Sequence, residues 1–349
     1  MESMLVQQDD LASITPIDPS GMLGQITSFP SQLTHSLKIK HRRALEADTV
    51  VVGGLGGSAM GGDVLAEYMA MNSSAPTFVV RDTIFPKWTN DCTLAILMSY
   101  SGNTKETISM YNSAREYGCP IIVITSGGRL MDIAKKDGQD VVQIPSGFQP
   151  RAALGHLLGS VACVVESANL APMASDIREF IPSLERSMEK LLPSTPQSSN
   201  SAKQIALRLF GTMPFVYAPR PIRSAATRWQ SQINENSKML CLSGEVPEMG
   251  HNQIVGWING AREINYRPVM LLPHAGRCIP VSLMRTAIEM FTEHDVDTVV
   301  ADIEGNTPLE SALHAIMLGD FVSYYLAVLN RVDPTPVPAI IELKDRFNR

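Results

Sequence analysis

The chain has 349 residues, of which 44% are hydrophobic and 18% are charged, and its formal net charge is -6. This composition is typical of a globular protein with a large apolar core, and the length suits two domains. The net negative charge argues against a nucleic-acid-binding protein, because such proteins carry a basic surface.

The cysteines and the N-terminal segment indicate the cellular compartment. Five cysteines are scattered along the chain without the paired spacing of a zinc site, namely Cys92, Cys119, Cys163, Cys241 and Cys278. Such usage is typical of a reducing compartment. The first 34 residues lack a basic start followed by an apolar run, and no segment is expected to reach the length of a membrane span. The sequence therefore predicts a cytoplasmic protein without a metal site.

Residues 1–46 are predicted to form an N-terminal helical arm. Residues 4–11 have the composition of an arm, and residues 21–47 that of one or two helices. No motif is recognisable in this stretch, so the sequence assigns it no function.

Residues 47–192 are predicted to form a first α/β domain with two bridging helices at its end. Short apolar strands alternate with helical stretches, as in a parallel sheet with helices on both faces. The strands are predicted at Thr49–Gly53, Thr77–Arg81, Leu94–Ser99, Ile121–Thr125 and Val141–Ile144. The bridging helices are predicted at residues 151–170 and 173–191.

The first strand runs directly into the glycine-rich loop Gly53-Gly54-Leu55-Gly56-Gly57-Ser58, before a helical stretch. This order predicts an anion site, because glycines let backbone N–H groups approach an anion and a helix N-terminus favours negative charge. The loop also comes close to the dinucleotide fingerprint, and Asp82 stands where a ribose-binding acid is expected. A nicotinamide cofactor is therefore an open alternative for this loop alone.

A second polar loop follows the third predicted strand, with the sequence Ser99-Tyr100-Ser101-Gly102-Asn103-Thr104. It too precedes a helical stretch. Two polar loops after two neighbouring strands favour a sugar phosphate over a dinucleotide, since both loops reach the same edge of the sheet.

Residues 193–202 are rich in proline and serine and are predicted to be a linker. Beyond it, residues 203–330 repeat the α/β pattern and form the predicted second domain. Its strands are predicted at Pro214–Ala218, Val269–Pro273 and Thr298–Ala301, and its helices at residues 222–234, 278–294 and 309–330. Loops at the carboxyl ends of the two sheets are expected to meet in a cleft that binds the ligand.

Three features of the second half carry candidate chemistry. Glu235 stands between two asparagines near the end of a helical stretch, where a carboxylate can act as a base. His251 follows a glycine, and a histidine titrates near neutrality and suits proton transfer. Residues 331–349 form a proline-rich tail and a predicted terminal helix that carries Lys344.

The motifs together resemble a known family. GGLGGSAMGGD and SYSGNTKET resemble the sugar isomerase (SIS) domain. With PRAALGHLLG, NENSK, GHNQIVGW, LGDFVSYYLA and VDPTPV before a C-terminal LK, they resemble the bifunctional phosphoglucose/phosphomannose isomerases of archaea and bacteria. The resemblance covers the chain from about residue 50 to its end. It implies two doubly wound, flavodoxin-like SIS domains with parallel sheets, and no cofactor.

The resemblance also implies an activity and its substrate-binding residues. The activity is the interconversion of glucose 6-phosphate and mannose 6-phosphate with fructose 6-phosphate through an enediol or enediolate. Ser99, Ser101 and Thr104 are implied to hold the phosphate, and Gly57 and Ser58 to contact the sugar. Since both aldoses give the same planar enediol, one base can serve both if the site tolerates either orientation of the C2 hydroxyl. Thr335 is expected to help make that room.

The catalytic residues implied by the resemblance are four. Glu235 is the base that moves a proton between C1 and C2, and Arg151 stabilises the enediolate. His251 and Lys344 open the sugar ring. Family members are homodimers, and the resemblance implies that His251 is contributed across the dimer interface. The tail is thus expected to return to the active site.

Two other classes of function stay open at this point. One is a phosphosugar-binding SIS protein without catalysis, although no DNA-binding or partner domain is visible in the sequence. The other is a different SIS-domain sugar-phosphate enzyme, of the amidotransferase or epimerising type, although a glutamine-hydrolysing domain with an N-terminal cysteine is not recognisable.

Overall fold

A computed structural model of the chain describes residues 14–39, 47–260, 265–274 and 278–347. These residues fold into two compact units. The first unit comprises residues 27–185 and 307–312, and the second comprises residues up to 26, 186–306 and 313 onward. The arm predicted at residues 4–11 lies outside the described residues, and the domain bounds drawn from the sequence stay a prediction.

The first unit is built on a five-stranded parallel sheet in the order β2-β1-β3-β4-β5. Its strands are β1 (Thr49–Gly53), β2 (Thr77–Val80), β3 (Thr93–Met98), β4 (Ile121–Thr125) and β5 (Asp140–Gln143). The helices up to residue 191 are α1 (Met22–Thr27), α2 (Phe29–Ser36), α3 (Gly57–Asn72), α4 (Lys105–Glu116), α5 (Gly128–Lys136), α6 (Leu154–Ser167) and α7 (Met173–Leu191). This is the flavodoxin-like strand order, so the predicted fold class is confirmed.

The central strands β3 and β4 are buried at every position. Their sequences, Thr-Leu-Ala-Ile-Leu-Met and Ile-Ile-Val-Ile-Thr, are nearly continuous apolar runs, as expected when helices cover both faces of a parallel sheet. One core cluster joins Val51 and Leu97 of the sheet with Met110 and Tyr111 of α4. Because the strands run in the same direction, the loops that follow β1, β3 and β4 all leave from one edge of this sheet.

The second unit contains a four-stranded parallel sheet in the order β7-β6-β8-β9. Its strands are β6 (Met213–Pro219), β7 (Leu242–Val246), β8 (Tyr266–Pro273) and β9 (Val299–Ile303). The remaining helices are α8 (Ser201–Leu209), α9 (Arg223–Ser237), α10 (Gln253–Asn259), α11 (Ile279–Glu293), α12 (Pro308–Asn330) and α13 (Pro338–Phe347). The order repeats that of the first sheet without a fifth strand, which confirms the second α/β layer.

Strand β7 was not predicted from the sequence. Its residues Leu-Ser-Gly-Glu-Val form an edge strand in which only Val246 is buried. An edge strand of this kind needs no apolar run, because solvent covers part of it. The sequence therefore lacked the pattern by which the other strands were recognised.

Helix α12 corrects the expectation that no segment reaches the length of a membrane span. Its 23 residues have a mean hydropathy of 1.5 in the most apolar window, which is sufficient to cross a membrane. That whole window is buried inside the protein. The helix also carries Asp320, a charge that is paired within the protein. These features are typical of the core helix of a globular protein.

A buried charge network joins α9 to α12. The Arg228 guanidinium donates from Nε to Oδ1 of Asp320 at 2.9 Å and from Nη2 to Oδ2 at 2.8 Å. Nε2 of Gln232, one turn later on α9, donates to the same Oδ1 at 2.9 Å. Both charged side chains are almost fully buried. The bidentate pairing neutralises both buried charges, and the Gln232 amide gives the carboxylate a further hydrogen bond. These bonds fix the register between α9 and α12.

Replacing Asp320 with Ala removes the counterion of a buried guanidinium. We expect Asp320→Ala to lower the free energy of unfolding by about 3–5 kcal/mol, because an uncompensated buried charge remains. The matched control is Glu245→Ala, which breaks the exposed 3.3 Å pair with Arg223 of the same helix. The control is expected to cost less than about 1 kcal/mol. Urea denaturation followed by circular dichroism measures both, and equal losses would contradict the importance of the buried pair.

Candidate active site

The glycine-rich loop after β1 brings the start of α3 against the segment that holds Arg151. A Cβ atom at Gly57 would stand 3.0 Å from the Cα of Arg151 and 3.2 Å from the carbonyl oxygen of Pro150. Only glycine permits so close an approach without a shift of backbone. Gly57 and Arg151, two of the predicted site residues, are therefore neighbours.

Hydrogen bonds of three hydroxyl groups join the loops after β1 and β3. The buried Ser58 Oγ accepts the backbone N–H of Tyr100 at 3.1 Å. Ser99 Oγ accepts the N–H of Gly102 at 3.2 Å and donates to Oγ1 of Thr104 at 3.2 Å. The predicted sugar-side serine and two of the predicted phosphate-binding residues thus lie in one hydrogen-bonded cluster.

Ser101 and the N-terminus of α4 form the exposed part of this cluster. Ser101 is exposed, and its Oγ accepts the N–H of Asn103 at 3.2 Å. Its hydroxyl proton can then be donated outward. Thr104 occupies the N-cap position of α4, and its side chain makes no capping hydrogen bond. A helix N-terminus without a side-chain cap favours an anion, because its first N–H groups and the helix dipole face it.

A third loop, which sequence reasoning missed, supports the second one. It follows β4 and has the sequence Ser126-Gly127-Gly128. Ser126 Oγ donates to the carbonyl of Tyr100 at 2.6 Å, and the N–H of Arg129 donates to Oδ1 of Asn103 at 3.0 Å. The signal was present in the sequence, because a strand, a Ser-Gly-Gly turn and a helix repeat the order seen in the other two loops.

Gly102 shows how tightly the second and third loops pack. Its φ is +65°, and a Cβ atom there would lie 1.8 Å from the carbonyl oxygen of Gly127. No side chain fits between the two backbones. The position of the loop that carries Ser99 and Ser101, the serines predicted to bind phosphate, is thus set by backbone contact with the third loop.

Arg151 lies in a short 3-10 helix, Pro150–Ala152, immediately before α6, and is buried. Five residues later, the buried His156 places its Nδ1 at 2.9 Å from Oγ of Ser36 on α2. Burial lowers the pKa of His156 to about 4, and the nearby His35 contributes in the same direction. His156 is therefore neutral at pH 7. This histidine lies in the motif PRAALGHLLG, and the sequence predicted no role for it.

Glu235 is half-buried near the end of α9, and the two asparagines beside it fasten this helix end. Asn234 Nδ2 donates to the carbonyl of Cys241 at 3.2 Å and Asn234 Oδ1 accepts the N–H of Cys241 at 3.1 Å. Asn236 Nδ2 donates to Oγ of Ser323 on α12 at 3.0 Å. The asparagines therefore have structural partners, and they hold the backbone that carries the carboxylate.

The C-terminal tail contacts the same helix end. Lys238 caps α9 in the left-handed conformation, and its Nζ donates to the carbonyl of Glu235 at 2.5 Å and to that of Pro334 at 3.3 Å. The next residue, Thr335, is buried. The Lys238 ammonium group therefore bonds to the backbone of the predicted base, Glu235, and to that of Pro334, which directly precedes the predicted specificity residue Thr335.

The two predicted ring-opening residues are exposed in the single chain. His251 ends a short 3-10 helix, Glu248–His251, just before α10. Lys344 lies on the exposed helix α13. In the part of the chain that the structure describes, no group of three or more His, Cys, Asp or Glu side chains could hold a metal ion.

Comparisons with known proteins identify the family. A sequence profile described as the bacterial phospho-glucose isomerase C-terminal SIS domain matches residues 198–347. The bifunctional phosphoglucose/phosphomannose isomerase of Caldicellulosiruptor bescii is 36% identical over 339 residues, which cover 93% of this chain and 98% of that protein. The chain belongs to the bifunctional phosphoglucose/phosphomannose isomerase family.

A second relative agrees with this assignment, and a more distant structure agrees with the fold. The bifunctional phosphoglucose/phosphomannose isomerase of Aquifex aeolicus is 34% identical over 306 residues, covering 86% of this chain and 90% of that protein. A crystal structure of a hypothetical protein from Thermus thermophilus matches with a TM-score of 0.77 at 16% identity. It covers 99% of this chain and 94% of that one, and at this identity it supports the fold alone. The family resemblance found in the sequence is confirmed.

His156 makes the stability of this family member depend on pH. Its folded pKa of about 4 lies below the ordinary value of 6.5, so the unfolded chain binds the extra proton between these values. The contribution of His156 to the free energy of unfolding is therefore complete above about pH 6.5 and is lost as the pH falls toward 4. We expect His156→Leu to flatten this decline in the free energy of unfolding, measured by urea titration at several pH values. The exposed His251→Gln is the control, and a decline unchanged by His156→Leu would contradict the assignment.

Proposed function

We propose that the protein interconverts glucose 6-phosphate and mannose 6-phosphate with fructose 6-phosphate by aldose–ketose isomerisation. The observation that carries the proposal is the 36% identity to the C. bescii isomerase over 98% of its length. The hydroxyl-rich loops before α4 support a phosphate-bearing substrate, since they combine serine and threonine donors with a helix N-terminus.

The loops of the first unit bind the substrate in this proposal. Ser99, Ser101 and Thr104 hold the phosphate, and Gly57 and Ser58 contact the sugar. The hydrogen bonds within the loops support these roles, because Ser101 Oγ already accepts Asn103 N–H and can donate its proton to a phosphate oxygen. Binding then requires little reorganisation of the loops.

Glu235 transfers the proton in the proposed reaction. Its carboxylate removes the C2 proton of the open-chain aldose as the C1 carbonyl oxygen gains negative charge. The hydroxyl proton on O2 then passes to O1, and Glu235 returns its proton to C1, which leaves the C2 carbonyl of the ketose. Arg151 stabilises the enediolate charge. The same enediolate forms from either C2 epimer, and Thr335 helps the site accept both. These steps use side chains of the chain and require no cofactor.

Ring opening precedes the proton transfer, and we assign it to His251 and Lys344. Both are exposed in the single chain, which supports the proposal that a partner chain completes the site. The protein is then a homodimer in which His251 serves the active site of its partner. All five cysteines are free thiols, which supports a cytoplasmic location.

Glu235→Gln tests the base directly. It keeps the shape of the side chain and removes the proton acceptor, so we expect turnover of both sugar phosphates to fall by about 10²–10⁴-fold while the substrate still binds. Fructose 6-phosphate formation in a coupled assay gives the rate, and calorimetry gives the binding. The control Glu289→Gln alters an exposed glutamate of α11 and is expected to keep full activity.

The outcomes of this experiment separate the candidate functions. Wild-type protein that binds the sugar phosphates without converting them would indicate a phosphosugar-binding SIS protein. Failure to bind or convert either sugar would point to another sugar-phosphate enzyme. An active Glu235→Gln variant would place the base elsewhere.

Mixing two inactive variants tests the contribution of His251 across the interface. Glu235→Gln and His251→Ala are each expected to be inactive on closed-ring substrate. A heterodimer of the two contains one site with an intact Glu235 and an intact partner histidine, so random reassociation should restore about a quarter of the wild-type sites. If both residues act within one chain, the mixture would stay inactive. Size-exclusion chromatography with light scattering checks that dimers form.

A further inference from the structure

Helix α2, in a stretch to which the sequence assigned no function, packs closely on α6. A Cβ atom at Gly155 would stand 2.7 Å from the Cβ of Gln32, and one at Gly159 would stand 2.9 Å from the Cβ of Ser36. The two glycines are one turn apart on α6, so the backbone of α6 lies directly against side chains of α2. The contact leaves Gln32 buried, with 2% of its surface exposed.

The Gln32 amide holds the segment that carries Arg151. Its Nε2 donates to the carbonyl of Ala152 at 2.8 Å and to Oγ of Ser28 at 2.8 Å. Its Oε1 accepts the backbone N–H of His156 at 3.3 Å. Ala152 directly follows Arg151, so this amide bonds to the carbonyl of the residue next to the arginine and to the first turn of α6. Because these groups are buried, water does not replace a bond that is lost.

The backbone of Arg151 is held by a second element as well. The Cα of Gly57, at the start of α3, packs so close to it that a Cβ atom would stand 3.0 Å from the arginine Cα. The packing against Gly57 limits movement of the backbone, and the Gln32 amide fixes the carbonyl of the next residue, Ala152. Neither contact involves the guanidinium itself. Both set the point from which that group reaches toward a ligand.

We propose that Gln32 is a positioning residue for catalysis, which acts by fixing the Arg151 backbone so that the guanidinium meets the enediolate. This inference rests on the proposed isomerase function. An interaction that stabilises charge in the transition state depends strongly on placement, and a shift of about 1 Å can cost about 10²-fold in rate. Gln32 thus gives α2 a role in the reaction without contact with the substrate.

Gln32→Met tests this role, because methionine keeps the length of the side chain and removes both hydrogen-bonding atoms. We expect kcat to fall by about 10-fold or more with KM changed by less than about 2-fold, since the lost interaction belongs to the transition state. Ser36→Ala is the matched control. It removes the 2.9 Å contact with Nδ1 of His156, another buried hydrogen bond between α2 and α6. The control should keep kcat within about 2-fold.

A double-mutant cycle with Arg151→Ala distinguishes positioning from a general loss of structure. If Gln32 acts through Arg151, Gln32→Met should change kcat by less than about 2-fold once the guanidinium is absent. Equal effects of Gln32→Met in both backgrounds, or an equal loss with Ser36→Ala, would overturn the inference. A wild-type protein without isomerase activity would instead overturn the proposed function, and this role with it. Should Gln32→Met fail to fold, Gln32→Leu, which also removes both hydrogen-bonding atoms without burying a charge, is expected to give the same result.

Discussion

The first unit depends on the close approach of three loops at one edge of its parallel sheet. The loops after β3 and β4 meet backbone to backbone, as the 1.8 Å between a hypothetical Cβ at Gly102 and the carbonyl oxygen of Gly127 shows. The loop after β1 joins them through Ser58, whose Oγ accepts the N–H of Tyr100. Little room is left for side chains, so the serine and threonine hydroxyls bond to nearby N–H and hydroxyl groups. Their orientation is therefore set before any ligand arrives, which reduces the entropy lost on binding.

The second unit positions the Glu235 carboxylate through hydrogen bonds between two helices, α9 and α12. Arg228, Gln232 and Asn236 recur at every fourth position of α9 and therefore lie on one face of the helix. All three bond to Asp320 or Ser323 on α12. A run of buried polar bonds demands one register between the two helices, because any slip would leave several polar groups unsatisfied. Glu235 thus lies on a helix whose register against α12 is fixed by these hydrogen bonds.

The sequence alone predicts those parts of the structure that depend on local patterns of residues. The apolar runs of β1, β3 and β4 and the glycine and serine loops after two of them can be read without tertiary information, and so can the family motifs. Strand β7 could not be found, since an edge strand carries no apolar run. The contact of Gln32 with Ala152 joins residues 120 positions apart, and no periodicity or motif points to it. The third loop was visible as a Ser-Gly-Gly turn, and its support of Asn103 emerged only from the strand order.

The cap of α4 has a consequence for the motions of the chain. Thr104 sits at the N-cap position and its side chain leaves the first turn of the helix uncapped, while its hydroxyl accepts from Ser99. A bound phosphate would take the place of that cap. The phosphate would then complete the hydrogen bonding at the start of α4, and part of its binding energy would slow the opening of the first helical turn. Tighter binding of the phosphate would therefore be accompanied by greater local rigidity of this loop.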